Sequence, residues 1–279
     1  MSFEFTDHER LRVVAASLIG LKLDHIGYID LGVIVFWGSI YGIHLGLVIY
    51  ILRNQSYLPL RDRGIVSVVA IYIAGIVWYI GDILTNEMVH PTSKLLRNCV
   101  FTCVWMRSIL GQMMVFGFLA VHCTGLRFKY DGRHKIRFNG LARYSLTAIV
   151  VLANLLVGII ITIVPKPMTI TFFDGLDVCM FQDTFKNAVM VLSWATLGIT
   201  IGVCVYLNFS VKCRHHEGTD LLVACFALAM ASAFQTAVFY IKPRYPVNLG
   251  WRVAVVSLDQ ISLFVTWWAV VGRALYNCM

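Results

Sequence analysis

The chain has 279 residues, of which 59% are apolar and only 14% charged, against roughly 25% charged in an ordinary soluble domain. That composition, with a mean hydropathy of +0.76, excludes a water-soluble globule, a disordered tail and a small disulfide scaffold, and points to one integral membrane bundle. The formal net charge of +8 does not call for nucleic acid, because basic residues in so apolar a chain mark loops facing anionic lipid.

Residues 1–28 are mixed in character. Val13 to Leu21 is an apolar stretch of nine residues. Its flank (Asp7, His8, Glu9, Arg10, Arg12) is not cleanly positive and no small-residue cleavage site follows. A short amphipathic extracellular segment is therefore expected rather than a cleaved signal peptide. Seven spans are predicted over residues 29–273, making the fold all-α, a polytopic seven-transmembrane-helix bundle. The first fills the 22 uncharged positions between Asp30 and Arg53, and the second runs from Ile65 to Gly81. The third reaches from Cys99 to Leu126, interrupted by Arg107, and the fourth lies between Arg143 and Lys166. Asn187 to Val211, Leu221 to Ile241, and Trp251 to Arg273 complete the set, the last interrupted by Asp259. All six prolines (Pro59, Pro91, Pro165, Pro167, Pro243, Pro246) fall in the gaps, where a missing N–H breaks no helix. Residues 274–279 are read as a short cytoplasmic tail.

An odd number of spans separates the termini. With the N-terminus outside, the cytoplasmic side holds 12 Lys/Arg and the outer side 10, with Arg107 in the membrane. The loop between the third and fourth spans carries the densest cluster: Arg127, Lys129, Arg133, Lys135, Arg137 and Arg143. Both features favour the N-terminus outside. Six cysteines (Cys103, Cys123, Cys204, Cys213, Cys225, Cys278) fall in spans or near the cytoplasmic boundary, where thiols ordinarily just pack. Cys99 and Cys179 would share the oxidising face, where a disulfide can persist; two unrelated thiols are the alternative.

Seven helices, with Cys99 (LLRNC) opening the third span and Cys179 (DVCMF) preceding the fifth, resemble a G-protein-coupled receptor. The third span ends in HCTGLRFKY, the sixth has no proline and the seventh lacks Asn-Pro-x-x-Tyr, so the rhodopsin-like class does not match. The chain looks more like the membrane region of fungal and plant receptors fused to regulator-of-G-protein-signalling domains. No regulator domain follows Cys278, so a receptor-like module alone, or a truncated one, is expected. The resemblance implies an extracellular ligand and a heterotrimeric G-protein at the basic loop. A transporter or channel for a small solute is the alternative.

Other chemistry is thinly represented. The spans carry no lysine, so no Schiff base with retinal is expected, and no other cofactor is implied. Cys213, Arg214, His215 and His216 are too closely spaced for a metal site. HExxH, GxSxG and a phosphate-cradling loop do not occur, so an enzyme is not expected. Gly38, Gly42 and Gly46 share one helix face, suiting close packing within the bundle, with a homodimer face as the alternative. Charges at membrane depth are functional candidates by default. Arg107 and Asp259 each lie eight residues inside an outer marker, Cys99 and Trp251, or about 12 Å at 1.5 Å per residue. They are read as a pair, with Asp82 the competing partner and Trp105 and Gln260 lining a ligand pocket.

Overall fold

The computed structural model describes residues 7–18, 20, 22–54, 65–90, 93–130, 140–164, 170–173, 178–210, 217–242 and 245–276. A short helix α1 (Asp7–Leu18) precedes seven long apolar ones, each able to cross a membrane. These are α2 (Tyr28–Arg53), α3 (Ile65–Thr85), α4, α5 (Gly140–Ile163), α6 (Asp183–Ser210), α7 (Glu217–Ile241) and α8 (Leu249–Tyr276). Helix α4 is composite, with a π-helical half (Val100–Met113) followed by an α-helical half (Met114–Tyr130). It is the most enclosed span, while α2 and α5 turn most of their surface outward, as expected for apolar helices in contact with lipid tails. The bundle is thus an all-α membrane fold. Its one departure among the described residues is a hairpin between α5 and α6, in which β1 (Ile170–Phe173) pairs antiparallel with β2 (Val178–Phe181).

Two glycines set the contact between α3 and α4. A Cβ on Gly81 would stand 2.7 Å from the backbone nitrogen of Arg107, and one on Gly111 would stand 2.7 Å from Cα of Trp78. Only hydrogen fits at either place, so the two backbones touch. The expected stripe on α2 behaves differently. Gly38 meets the Tyr79 hydroxyl at 3.6 Å, but nothing lies within 4 Å of a Cβ on Gly42 or Gly46. Packing inside the bundle therefore does not explain Gly42 and Gly46, which face outward.

The ends also depart from the sequence reading. Helix α3 continues past Gly81 to Thr85, because Asp82 is neutralised inside the bundle rather than marking its edge. The chain then turns at Glu87, whose φ of 56° is uncommon for a residue with a Cβ. The described residues between Asp7 and Asp30 form a docked cap. Arg12 reaches Glu87 at 2.6 Å and His90 at 3.3 Å. Arg252 of α8 donates to both carboxylate oxygens of Asp30, at 2.8 and 2.7 Å, and to the carbonyls of Asp24 and His25. Asp24 in turn accepts from the Leu249 N–H at the start of α8, where a carboxylate satisfies an otherwise orphaned donor.

Candidate functional site

The π-helical half of α4 decides which side chains look inward. Hydrogen bonds running i→i+5 widen each turn beyond the 3.6 residues of an α-helix, so residues four or five apart fall on one face. Cys103, Arg107, Ser108 and Gln112 consequently line a single cavity. Two details fit the wide turn. The Ser108 hydroxyl donates to the Cys103 carbonyl five residues back, at 3.0 Å. A Cβ on Gly111 would stand 2.7 Å from the Met106 carbonyl oxygen, also five back.

Arg107 is buried at the meeting point of three helices. Its Nε lies 2.7 Å from Oδ1 of Asp82 on α3, an ion pair whose N–H is not aligned as a hydrogen bond. Its Nη2 donates to Oδ2 of Asp259 on α8 at 3.3 Å. The expected pairing with Asp259 is therefore present, but Asp82 is the nearer partner, and one guanidinium serves both carboxylates. Gln260 extends the network, donating to Asp82 Oδ2 at 2.9 Å and accepting from the Tyr41 hydroxyl of α2 at 2.8 Å. Four helices thus share one buried polar chain. Each link replaces hydration that a bilayer cannot supply.

On its other side Arg107 borders a cavity between α4, α6 and α7, about 350 Å³ of empty space with its open mouth included. Ser193 of α6 donates to Gln112 Oε1 at 3.3 Å, and Gln112 donates to Gln235 of α7 at 3.5 Å. Phe181 of β2 and Lys186 of α6 complete the wall. Lys186 pairs with Asp183 at 2.7 Å and lies over the Tyr240 ring. The Cys99–Cys179 disulfide joins the start of α4 to β2, which holds the hairpin beside Phe181 at this end of the bundle. Only about 20 Å³ of the cavity's space is free for a water-sized occupant, room for about one water molecule, and its few convergent polar groups are of the kind that orient a small ligand.

Trp105 does not belong to this wall. It points from the opposite face of α4 onto α5, where its Nε1 donates to Thr162 at 2.8 Å and its ring lies 2.8 Å from where a Gly158 Cβ would stand. Two residues from Arg107, Trp105 lies on nearly the opposite side of an α-helical or a π-helical turn alike, and the notch at Gly158 receives its ring. Asp82, Gln260 and Asp259 sit behind Arg107 and do not line this cavity; Gln260 instead lines a second pocket, with Tyr41, His44 and Trp267, between α2, α3 and α8. Ser108, Gln112, Ser193 and Gln235 were not anticipated, and small polar residues at four- to five-residue spacing in α4 were the available signal. Of the basic loop, Arg133, Lys135 and Arg137 lie outside the described residues. Arg127, Lys129 and Arg143 are on helical backbone at the ends of α4 and α5. Cys213, Arg214, His215 and His216 also lie outside the described residues. The chain matches no known protein-family model and no curated protein.

Proposed function

We propose that this protein is a seven-helix receptor resembling the G-protein-coupled class, sensing an extracellular ligand in the cavity between α4, α6 and α7. The observation that carries this reading is the double engagement of Arg107. One guanidinium borders the cavity and also holds Asp82 of α3 and Asp259 of α8. A ligand group that bonds Arg107 competes with those carboxylates, so ligand binding biases how α3 and α8 sit against α4. A conformational equilibrium responds only to such a differential interaction. The disulfide, two residues along β2 from the cavity-lining Phe181, accords with an oxidising exterior on that side. The basic loop, Arg127 to Arg143, then faces the cytoplasm, where an acidic surface of a heterotrimeric G-protein is its partner. The transporter reading draws on the same buried charges. Here they compensate one another, and the six prolines leave the spans unbroken, unlike the interrupted helices that line transport routes.

The deciding experiment sets binding against flux. The purified protein is tested for ligand-independent co-purification with Gα subunits, and the same preparation is reconstituted for radiotracer and current measurements. Co-purification without flux is the expected result. Flux without Gα binding replaces the receptor with a transporter or channel. Neutralising Arg133, Lys135 and Arg137 should abolish co-purification while orientation and surface level are retained. Unchanged co-purification leaves the loop as a lipid anchor, at about 1 kcal/mol per basic residue near the surface.

A further inference from the structure

Three thiols that sequence reading treats as packing residues converge away from the cavity and its cap. Cys123 of α4, Cys204 of α6 and Cys225 of α7 are all buried. The sulfurs of Cys123 and Cys204 stand 2.7 Å apart, and Cys225 lies within hydrogen-bonding reach of Cys204. Among the described residues no group of three ligating side chains has metal-binding geometry, so the readings that remain are packing and redox chemistry. We propose that Cys123, Cys204 and Cys225 form an intramembrane thiol cluster in which peroxide oxidation ties α6 to α4 through a Cys123–Cys204 disulfide. The gap exceeds the bonded S–S length of about 2.0 Å by only ~0.7 Å, a shift within reach of side-chain rotation.

The chemistry balances with hydrogen peroxide as the oxidant, a small uncharged molecule that enters bilayers. The Cys204 sulfur attacks one peroxide oxygen, the O–O bond breaks, and Cys204 becomes a sulfenic acid as the first water leaves. The Cys123 sulfur then attacks the Cys204 sulfur. The S–O bond breaks, the S–S bond forms, and the second water departs with the remaining thiol proton. Two thiols lose two electrons and two protons, and one peroxide becomes two waters. Cys225, beside Cys204, is placed to attack the new disulfide and release Cys123, an exchange with no net electron change. Cys204 is thus the hub, and the helix tied to α6 depends on which neighbour holds it. Transient, redox-sensing disulfides of this kind are the form in which they occur on a reducing side of the membrane.

The test uses the full chain in lipid nanodiscs and needs neither ligand nor G-protein, so its outcome is separate from the receptor reading. Samples with and without hydrogen peroxide are quenched, unfolded, alkylated and digested without reduction. Before peroxide, Cys99–Cys179 should be the cross-linked pair. After it, a second pair carrying Cys123 and Cys204 should appear, lighter by two hydrogens and reversed by dithiothreitol. Cys204→Ser should remove every link at Cys123, and the wild-type map stands alone should that variant not fold. Full alkylation of Cys123 and Cys204 after peroxide overturns the proposal, as does sulfinic acid on Cys204 with no link formed. A Cys123–Cys225 link overturns the assignment of Cys204 as hub.

Discussion

Replacing Arg107 by alanine leaves two carboxylates buried between α3, α4 and α8 without their guanidinium. The relative strength of the two pairs follows from their separations. At an effective dielectric of about 20, charges 2.7 Å apart (Asp82) attract by about 6 kcal/mol before desolvation. Charges 3.3 Å apart (Asp259) attract by about 5 kcal/mol on the same basis. Most of that gross attraction offsets the cost of burying the ions, so the net pair is worth far less than its rupture. Breaking the cluster is therefore the informative perturbation. Arg107→Ala should destabilise by about 3–5 kcal/mol, the range for removing one partner of a buried pair. Asp259→Asn should cost less, since its amide oxygen still accepts from Nη2. Double-mutant cycles on unfolding in detergent should give a coupling of about 0.5–3 kcal/mol for Arg107 with each aspartate. The coupling to Asp82 should be the larger. If the Arg107→Ala and Asp82→Ala losses simply add, Arg107 does not hold α3, and the account of how the cavity communicates with α3 fails.

Further tests bear on packing and orientation. Gly81→Ala drives a methyl into the Arg107 backbone at 2.7 Å and should cost upwards of the ~1–3 kcal/mol typical of overpacking. Gly42→Ala meets open space and should be neutral or gain about 0.5–1 kcal/mol from helix propensity; thermal unfolding compares the two. The Cys99–Cys179 disulfide spans 80 residues and should contribute about 2–5 kcal/mol. Alkylation of both thiols in native, unreduced protein would refute that bond. Sequons at Asn54-Gln55-Ser56 and Asn208-Phe209-Ser210 both adjoin the face opposite the N-terminus, so the protein should carry no N-glycan. A glycosidase-sensitive mass shift mapped to Asn54 would invert the orientation.

The sequence alone determined the seven spans, because hydropathy is a local property that adds along the chain and does not depend on neighbours in space. The same holds for the prolines in the gaps and for the cost that marks Arg107 and Asp259 as partners within the membrane. Facing and register were another matter. Trp105 was offered as pocket lining, but it packs on Thr162 and Gly158 from the other face of α4, and the wide turn of that helix brings Ser108 and Gln112 beside Arg107 instead. Asp82 read as a boundary because its charge is visible in sequence, whereas the guanidinium that neutralises it comes from another helix. Gly81 and Gly111 look no different in sequence from Gly42 and Gly46; only the backbone lying against each distinguishes a required hydrogen from an outward-facing one. Arg12, Asp30, Glu87 and Arg252 stood at or beyond the expected ends of the spans, and their pairing depends on the cap folding back over α8. The meeting of Cys123, Cys204 and Cys225 is likewise a product of how α4, α6 and α7 rotate about their axes. That rotation is set by side-chain packing across the whole bundle, information that no single helix carries.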